Sequence, residues 1–572
     1  MPLLVVLTHR PEFQSRWSGH GHVGALNLSK LTRTQSAAMV STLTSGKVLP
    51  GPLLEQILAR TDGVPLFVEE LTKAILELGA LKDAGDHYEY VGSARAVTIP
   101  ATLRDSRMAR LDRFTPVREI AQIGAAIGRD FSYEMIEAVA LMPQAQLDDA
   151  LARLCASGLA FRRGTPPDAI YTFKHALVQD AAYDSLLRRR RQELHAKIAR
   201  VIEQRFPNIQ ATEPEVLAHH LTEAGRIEAA IPLWQAAGEL ALKRVASAEA
   251  IAHLDRGLDL ISTLPQSSQR DTDELRLRGL LGTAWTGHKG WPAPEVWNSL
   301  HPALALAKSL KRYDALPGIM DVLNSNILSQ GRTTEALLSA EETLDLAKAT
   351  GDTDLRISGH WSACGDCFWA GKLSEVLEHA DMVLDLYDIE KHNYLTDVTY
   401  LDPRNSSACF ASTATWLLGY PDRAVRLNHE KDTHARRRGH PFDLGFALYT
   451  GAHEFDERWP FEDLLKRAEE CERLGRENSL PVLWANWAPT LYGKALILKG
   501  RPAEGIAPLK AGMAWWVAAG GRVGNPTRGA FLAEGMALIG DLDGALSLLD
   551  EALEQIERPG WGNAFTTPRS CA

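Results

Sequence analysis

Six stretches of the chain share one pattern: a glycine, a polar residue or two, then an Ala- or Leu-rich amphipathic run. They read GRIEAAIPL from Gly225, GRTTEALLSA from Gly331, GKLSEVLEHA from Gly371, GYPDRAVRL from Gly419, GRPAEGIAPL from Gly500 and GDLDGALSLL from Gly540. Gly331 to Gly371 and Gly500 to Gly540 are steps of 40 residues; Gly371 to Gly419 is 48, and Gly419 to Gly500 is 81, about two units. A unit without its glycine is expected near Trp459, where RWPFEDLLKRAEE keeps the helical pattern. A period of about 40 residues with two helices per unit points to an α-solenoid, in which each unit buries its apolar stripe against its neighbours. The alternative is an irregular helical bundle. In the solenoid the glycine closes the first helix of a unit in a left-handed cap, and small residues let the second helix pack tightly on it. The array covers residues 211–556, with an inner face built from the first helices.

The opening residues have a different texture. LLVVLTHRPEF at 3–13 begins with five apolar residues without alternation, the pattern of a strand buried on both faces. Helical patterns follow at 34–45, 51–61 and 63–81, the last with Pro65 suited to a first turn. Three further helices are expected near 117–127, 132–141 and 144–157. Two short strands, LAFRR at 159–163 and AIYTF at 169–173, are joined by the turn signal GTPPD. Three helices followed by such a hairpin outline a winged-helix unit.

Composition removes several function classes. At 572 residues the chain exceeds one ordinary domain, and 45% hydrophobic with 23% charged residues is typical of globular protein. A formal charge of −10 argues against wholesale nucleic-acid binding. No apolar run approaches the roughly 18 residues of a membrane span, and PLLVVL lacks the basic leader and cleavage site of a signal peptide. Six scattered cysteines make no disulfide framework, so a reducing cytoplasm is expected.

The ordered blocks THRPEF, TDGVPLFVEELTKAILE, IPATLRDSRMARLDR, IAQIGAAIGRDFS and YTFKHALVQDAAYDSLL, ending in the repeats, carry a family resemblance. From residue 3 to about 556 the chain resembles the ATPase-plus-repeat portion of bacterial multidomain adenylate/guanylate cyclases and related transcriptional regulators. Their ATPase module belongs to the signal-transduction ATPases with numerous domains (STAND), and the repeats resemble tetratricopeptide repeats with slightly long units. The resemblance implies a mainly α chain in four parts: a truncated α/β P-loop ATPase remnant at 1–115, a winged-helix domain with its connecting helix at 116–210, the tetratricopeptide-like solenoid at 211–556, and an irregular tail at 557–572. It also implies vestigial nucleotide contacts. Arg10 matches the sensor-1 arginine at a strand end, Gly63 and Pro65 match the Gly-x-Pro on the adenine side, and His175 corresponds to a histidine directed at a bound diphosphate. Read without the family, Arg10 is a strand-end cation, Pro65 a helix start, and His175 a core or cap residue.

The phosphate cradle of a P-loop requires Gly-x-x-x-x-Gly-Lys-Ser/Thr. TSGKVL at 44–49 lacks both the earlier glycine and the final hydroxyl. No acidic Mg²⁺ ligand ends a strand, and no cyclase domain is visible. The chain therefore reads as the C-terminal part of a larger signalling protein, not an enzyme by itself. No cofactor is expected, with ATP or ADP bound only if a missing N-terminal part completes the site. The favoured function is a non-catalytic scaffold that binds a protein or peptide partner on the concave solenoid face, a cyclase domain among the candidates. The alternative is the regulatory part of an ATP-binding cyclase whose nucleotide-binding half lies outside this chain. A winged-helix DNA binder would need FRRGTPPDA to face outward, and the net charge opposes it.

Other motifs favour bland readings. In CGDC at 364–367, with His360 and His379 nearby, one C-x-x-C lacks the second pair of a structural zinc site, so core packing is expected. RRRR at 188–191 continues into an amphipathic helix as a solvated basic face. The fourteen tryptophans, among them Trp361, Trp369, Trp416, Trp484, Trp487, Trp515 and Trp516, could line a ligand groove; at helical spacing most are expected between helices.

Overall fold

All six repeat glycines are left-handed, with φ from 74° at Gly225 to 91° at Gly419, and each lies two residues before the next helix begins. The same pair of bonds closes each turn. Gly331 N–H donates to Leu328 O at 2.8 Å and Arg332 N–H to Ile327 O at 3.3 Å; Gly500 and Arg501 donate to Ile497 O and Leu496 O, both at 2.9 Å. These bonds satisfy the carbonyls that a helix end leaves open. Val245 (φ 57°) and Lys311 (φ 54°) form the same turn without glycine, the following amides donating to Ala241 O and Ala307 O at 2.9 Å each. Such turns are invisible to a search for glycine.

The computed structural model describes residues 6–9, 23–24, 26–77, 81–91, 115–450 and 461–557. The chain divides into two units, Met1–Val201 and Ile202–Ala572. In the second unit, helices joined by short turns pack against their successors: Pro214–Glu223 with Ile227–Lys243, Leu316–Ser329 with Thr333–Thr350, Thr353–Trp369 with Leu373–Leu386, Pro403–Leu417 with Pro421–Arg438, and Asn525–Leu538 with Leu542–Glu557. This is an α-solenoid of helix pairs. Proline at the first helical position recurs at Pro214, Pro294, Pro403, Pro421, Pro441 and Pro502, where the missing N–H costs nothing. The unit expected near Trp459 contributes the helix Phe461–Glu477, while residues 451–460 lie outside the described residues. Helix Ala488–Leu498 meets Pro502–Ala518 through two glycines: a Cβ on Gly505 would lie 2.4 Å from the Gly493 carbonyl oxygen.

The array also makes a long-range contact with itself. The amides of Arg522 and Val523 both donate to the Ser329 carbonyl, at 2.8 and 3.1 Å. Asn326, on the same helix end, donates through its side chain to Ala293 O at 3.1 Å and to Trp291 O. The turn at 290–293, the end of the Leu316–Ser329 helix and the turn at 520–524 thus meet, with the intervening repeats as the wall between them.

In the first unit, helices Arg33–Leu43, Gly51–Thr61 and Pro65–Glu77 share a core of Val40, Leu53, Ile57, Val68 and Ile75, beside a hairpin of β1 (Leu81–Asp83) and β2 (Tyr88–Tyr90). Helices Thr115–Ile127, Tyr133–Ala140 and Gln144–Ala156 accompany an antiparallel sheet of order β3-β5-β4, formed by Asp130–Ser132, Ile170–Phe173 and Ala160–Arg163. Phe131 stacks on Tyr171 at 5.7 Å and packs on Phe173 at 5.4 Å. At three residues, β3 is too short to show a period, and the sequence gives no sign of it. The buried strand expected from residue 3 is not found over the part of it that is described. Residues 1–5 lie outside the described residues, and 6–9 form no strand, with Val6 76% and Leu7 63% exposed. A strand needs a ladder partner, and among the described residues both sheets are antiparallel and neither includes this segment. The tail beyond residue 557 lies outside the described residues.

Gly505→Val should destabilise the repeat unit by about 2–3 kcal/mol, since neither backbone can yield to the added carbons. Gly279→Ala, in the helix Ser268–Lys289 with nothing near its Cβ position, should be neutral or stabilising by up to about 1 kcal/mol. Urea titration followed by far-ultraviolet circular dichroism checks both; equal midpoints would refute the close-approach reading.

Candidate functional site

The first helices of successive pairs converge on one cavity of about 130 Å³. Leu316–Ser329 supplies Asp321, Asn324, Ser325 and Leu328; Thr353–Trp369 supplies Trp361, Ser362, Phe368 and Trp369. Pro403–Leu417 adds Phe410, Pro441–Tyr449 adds Phe446 and Tyr449, and the start of Asn525–Leu538 adds Thr527 and Arg528. Trp291, Trp487 and Trp516 complete an aromatic wall. The junction on Ser329 brings the two ends of this wall together.

Trp487 owes its place to a proline. The helix running into Ala488–Leu498 contains Pro489, which has no N–H to give, and a π turn spans Leu483–Trp487 just before it. The widened turn puts Trp487 against Tyr449 (5.4 Å, stacked), Phe442 (5.4 Å) and Phe446 (5.7 Å), while Asn486 donates to Gly512 O at 2.8 Å. Helical spacing predicts inter-helix packing for Trp361, Trp369, Trp487 and Trp516. Three of these are at most 4% exposed, yet all four also line the cavity. One apolar stripe serves both purposes, so spacing cannot separate them.

Two polar groups stand out in this apolar setting. Arg528 is 5% exposed. Its Nη2 donates to Tyr449 Oη at 3.0 Å, and its Nη1 to Val523 O and Asn525 Oδ1 at 3.3 Å each. The guanidinium lies 5.5 Å from the Trp516 ring and 5.9 Å from the Tyr449 ring. Among the described residues no carboxylate pairs with it, and Nε has no hydrogen-bond partner. Asp321 is also buried and accepts from Ser362 Oγ at 2.9 Å; burial pushes its carboxyl up to about 7. Behind it burial raises Asp366 well above the carboxylate range, despite a 2.9 Å bond from Asn324 Nδ2, and the nearby Asp321 adds to the rise.

The residues singled out by family resemblance lie in the first unit. Arg10 is outside the described residues. Gly63 is left-handed (φ 70°) and its carbonyl accepts from Leu31 N–H at 2.7 Å; a side chain there would strike the Leu31 carbonyl. Pro65 opens the helix Pro65–Glu77. His175 caps the helix Ala176–Asp184 at an extended φ of −138°. Between these two places runs an ion pair: Glu69 Oε1 accepts from Lys174 at 2.7 Å and from Lys73 at 2.6 Å, and the Lys174 bond leads in holding the Glu69 carboxyl down at about 2.

Cys364 and Cys367 are buried free thiols whose Sγ atoms lie 3.6 Å from Val376 O and 3.7 Å from Glu375 Oε2. Burial raises both, Cys367 to about 12, so neither is a thiolate at neutral pH. His360 pairs with His379 instead (Nδ1 to Nδ1, 2.9 Å), and burial brings it down to about 4. In the arginine run, Arg189 and Arg190 pair with Glu193, and Arg190 also reaches Glu119 at 3.6 Å. Among the described residues no helix is long and apolar enough to cross a membrane.

No protein-family model matches the chain. An uncharacterized protein of Rhizobium meliloti (strain 1021) is 26% identical over 314 residues, 54% of this chain and 30% of that protein, so the chain spans under a third of the curated relative's length. Among solved structures, a STAND protein with a tetratricopeptide repeat sensor from Pyrococcus horikoshii is 12% identical with a TM-score of 0.43, covering 94% of this chain and 74% of that one. A Rap protein complexed with competence and sporulation factor is 11% identical with a TM-score of 0.41, covering 57% of this chain and 86% of that one.

Asp321 makes a pH-dependent contribution whose sign is fixed. A carboxyl with a raised folded pKa is tolerated best when protonated, so stability is full below the unfolded value near 3.9 and lost as pH rises towards 7. At 1.36 kcal/mol per pKa unit the loss reaches at most about 4 kcal/mol. Asp321→Asn keeps an acceptor for Ser362, so its advantage in melting temperature should be large at pH 8 and vanish near pH 4. Parallel wild-type and variant curves would show that the group titrates normally.

Proposed function

We propose that this chain is a non-catalytic binding module of a larger signalling protein, whose solenoid takes its ligand in the aromatic pocket. The observation that carries this is the double hydrogen bond from Arg522 and Val523 to the Ser329 carbonyl, which turns an open inner face into a site with walls. Concave, mostly apolar pockets with a few convergent polar groups are the usual form of a recognition site. About 130 Å³ suits a body near the size of one aromatic ring, either a small molecule or one anchoring group of a protein or peptide partner. A cytoplasmic setting, a cyclase domain as partner and descent from a STAND-type regulator belong to this proposal. So do the assignments of residues 1–115 as an ATPase remnant and of 116–210 as a winged helix.

A second reading, a regulatory half that completes a nucleotide site with a missing segment, has one observation in its favour. The Glu69–Lys174 pair joins the helix behind Gly63 and Pro65 to the residue before His175, so three of the four vestigial contacts fall on linked elements. No cofactor is proposed for this chain alone.

Indole, a neutral probe, should bind the full-length chain with heat detectable by isothermal titration. Thr527→Trp, a plug at a half-buried lining position, should abolish the effect while leaving helicity unchanged. Indole binding that survives the plug would place the ligand elsewhere. ATP titrated calorimetrically should bind more weakly than about 1 mM; micromolar binding would favour the second reading.

A further inference from the structure

Arg528 poses a problem that the described residues do not solve. A guanidinium stays charged at any pH a protein meets, and burying a charge without a counter-ion is costly. Of its five N–H donors, three are used, by Val523 O, Asn525 Oδ1 and Tyr449 Oη. Nε–H has no acceptor among the described residues, and Nη2 has one bond for its two hydrogens. The rings of Tyr449 and Trp516 offset part of the cost, but neither is an anion.

The surroundings are kept open and positive. Arg528 lies in the first turn of the helix Asn525–Leu538, whose partial positive end adds to its charge. Gly524 precedes that helix at φ 76°, and a Cβ there would sit 3.3 Å from both Arg528 Nη1 and the Trp369 ring. Only glycine leaves that space between ring and cation free. Among the described residues the one acidic group lining the cavity, Asp321, is paired with Ser362 rather than with Arg528.

We infer that the ligand of this pocket is a small apolar organic acid, its carboxylate held by Arg528 and its body lying among Trp369, Trp487 and Trp516. The inference rests on the pocket reading above and adds the charge and chemistry of the occupant. The carboxylate supplies the missing counter-ion and accepts a charge-assisted hydrogen bond from the unused Nε–H. The same group can come from a free acid or from the C-terminal carboxylate of a partner peptide with an aromatic last residue.

Isothermal titration of the full-length chain tests this with four probes: 3-phenylpropionate, its primary amide, and an acetylated pentapeptide ending in phenylalanine as free acid and as amide. At least one acid should bind at least ten times more tightly than its amide, and Arg528→Gln should remove that preference. Binding of 3-phenylpropionate alone identifies a free acid as the source; binding of the peptide acid alone identifies a partner's C-terminus. Should Arg528→Gln fail to fold, the acid-to-amide ratio on the wild-type chain still decides. Equal binding of acid and amide, or no binding of either acid below about 10 mM, overturns the inference. The indole experiment judges the pocket separately, so a chain that binds indole without preferring acids would keep the pocket and lose the carboxylate.

Discussion

The repeat unit depends on a turn of fixed hand, which ends the first helix of each of the six glycine-marked pairs. Two amides satisfy two otherwise open carbonyls, and one residue takes positive φ, so the second helix leaves at nearly the same angle each time. Because every pair repeats that angle, the first helices line up along one side of the array, and their side chains become neighbours in space although they are tens of residues apart. Glycine makes the turn without strain. Val245 and Lys311 make it against a penalty of roughly 1–2 kcal/mol, which the packing of the adjoining helices must offset.

A solenoid built this way still has an open inner face. Here the Ser329 carbonyl accepts from two consecutive amides almost two hundred residues further along the chain, and Trp291, Trp361, Trp487 and Trp516 become part of one buried cluster. Distortion is concentrated where the wall is made: the π turn that carries Trp487, the left-handed Gly524, and Gly520, whose Cβ would press on the Pro292 carbonyl. Irregular backbone and uncompensated polar groups in the same few turns are what a binding site requires of a scaffold that is otherwise uniform.

The nearby carboxyl pair follows the same logic with opposite charge. Asp321 and Asp366 have Ser362 and Asn324 as partners rather than cations, and burial raises both carboxyls, Asp321 to about 7. Among the described residues the cavity therefore has one permanent charge, on Arg528, and its acidic side responds to pH. Below about pH 7 a site of this kind can hold an anion without an ionised Asp321 repelling it.

Glycines spaced by 40 residues and the amphipathic runs after them determine helix pairs, their turns and the stacking of units, because left-handed caps and 3.6-residue periods are local properties of a chain. The helices at 51–61 and 144–156 were legible for the same reason. The three-residue strand Asp130–Ser132 was not, since it exists only through pairing with Ile170–Phe173. Val6 and Leu7 show the converse, an apolar run that becomes a strand only if a ladder partner is present. Of the site, the sequence determined that the first helices would carry aromatic residues. That Ser329 would meet Arg522 and Val523, and that Arg528 would be buried among those rings without a counter-ion, was decided by tertiary structure alone. Such contacts depend on the summed angles of every intervening repeat, and no local pattern encodes that sum.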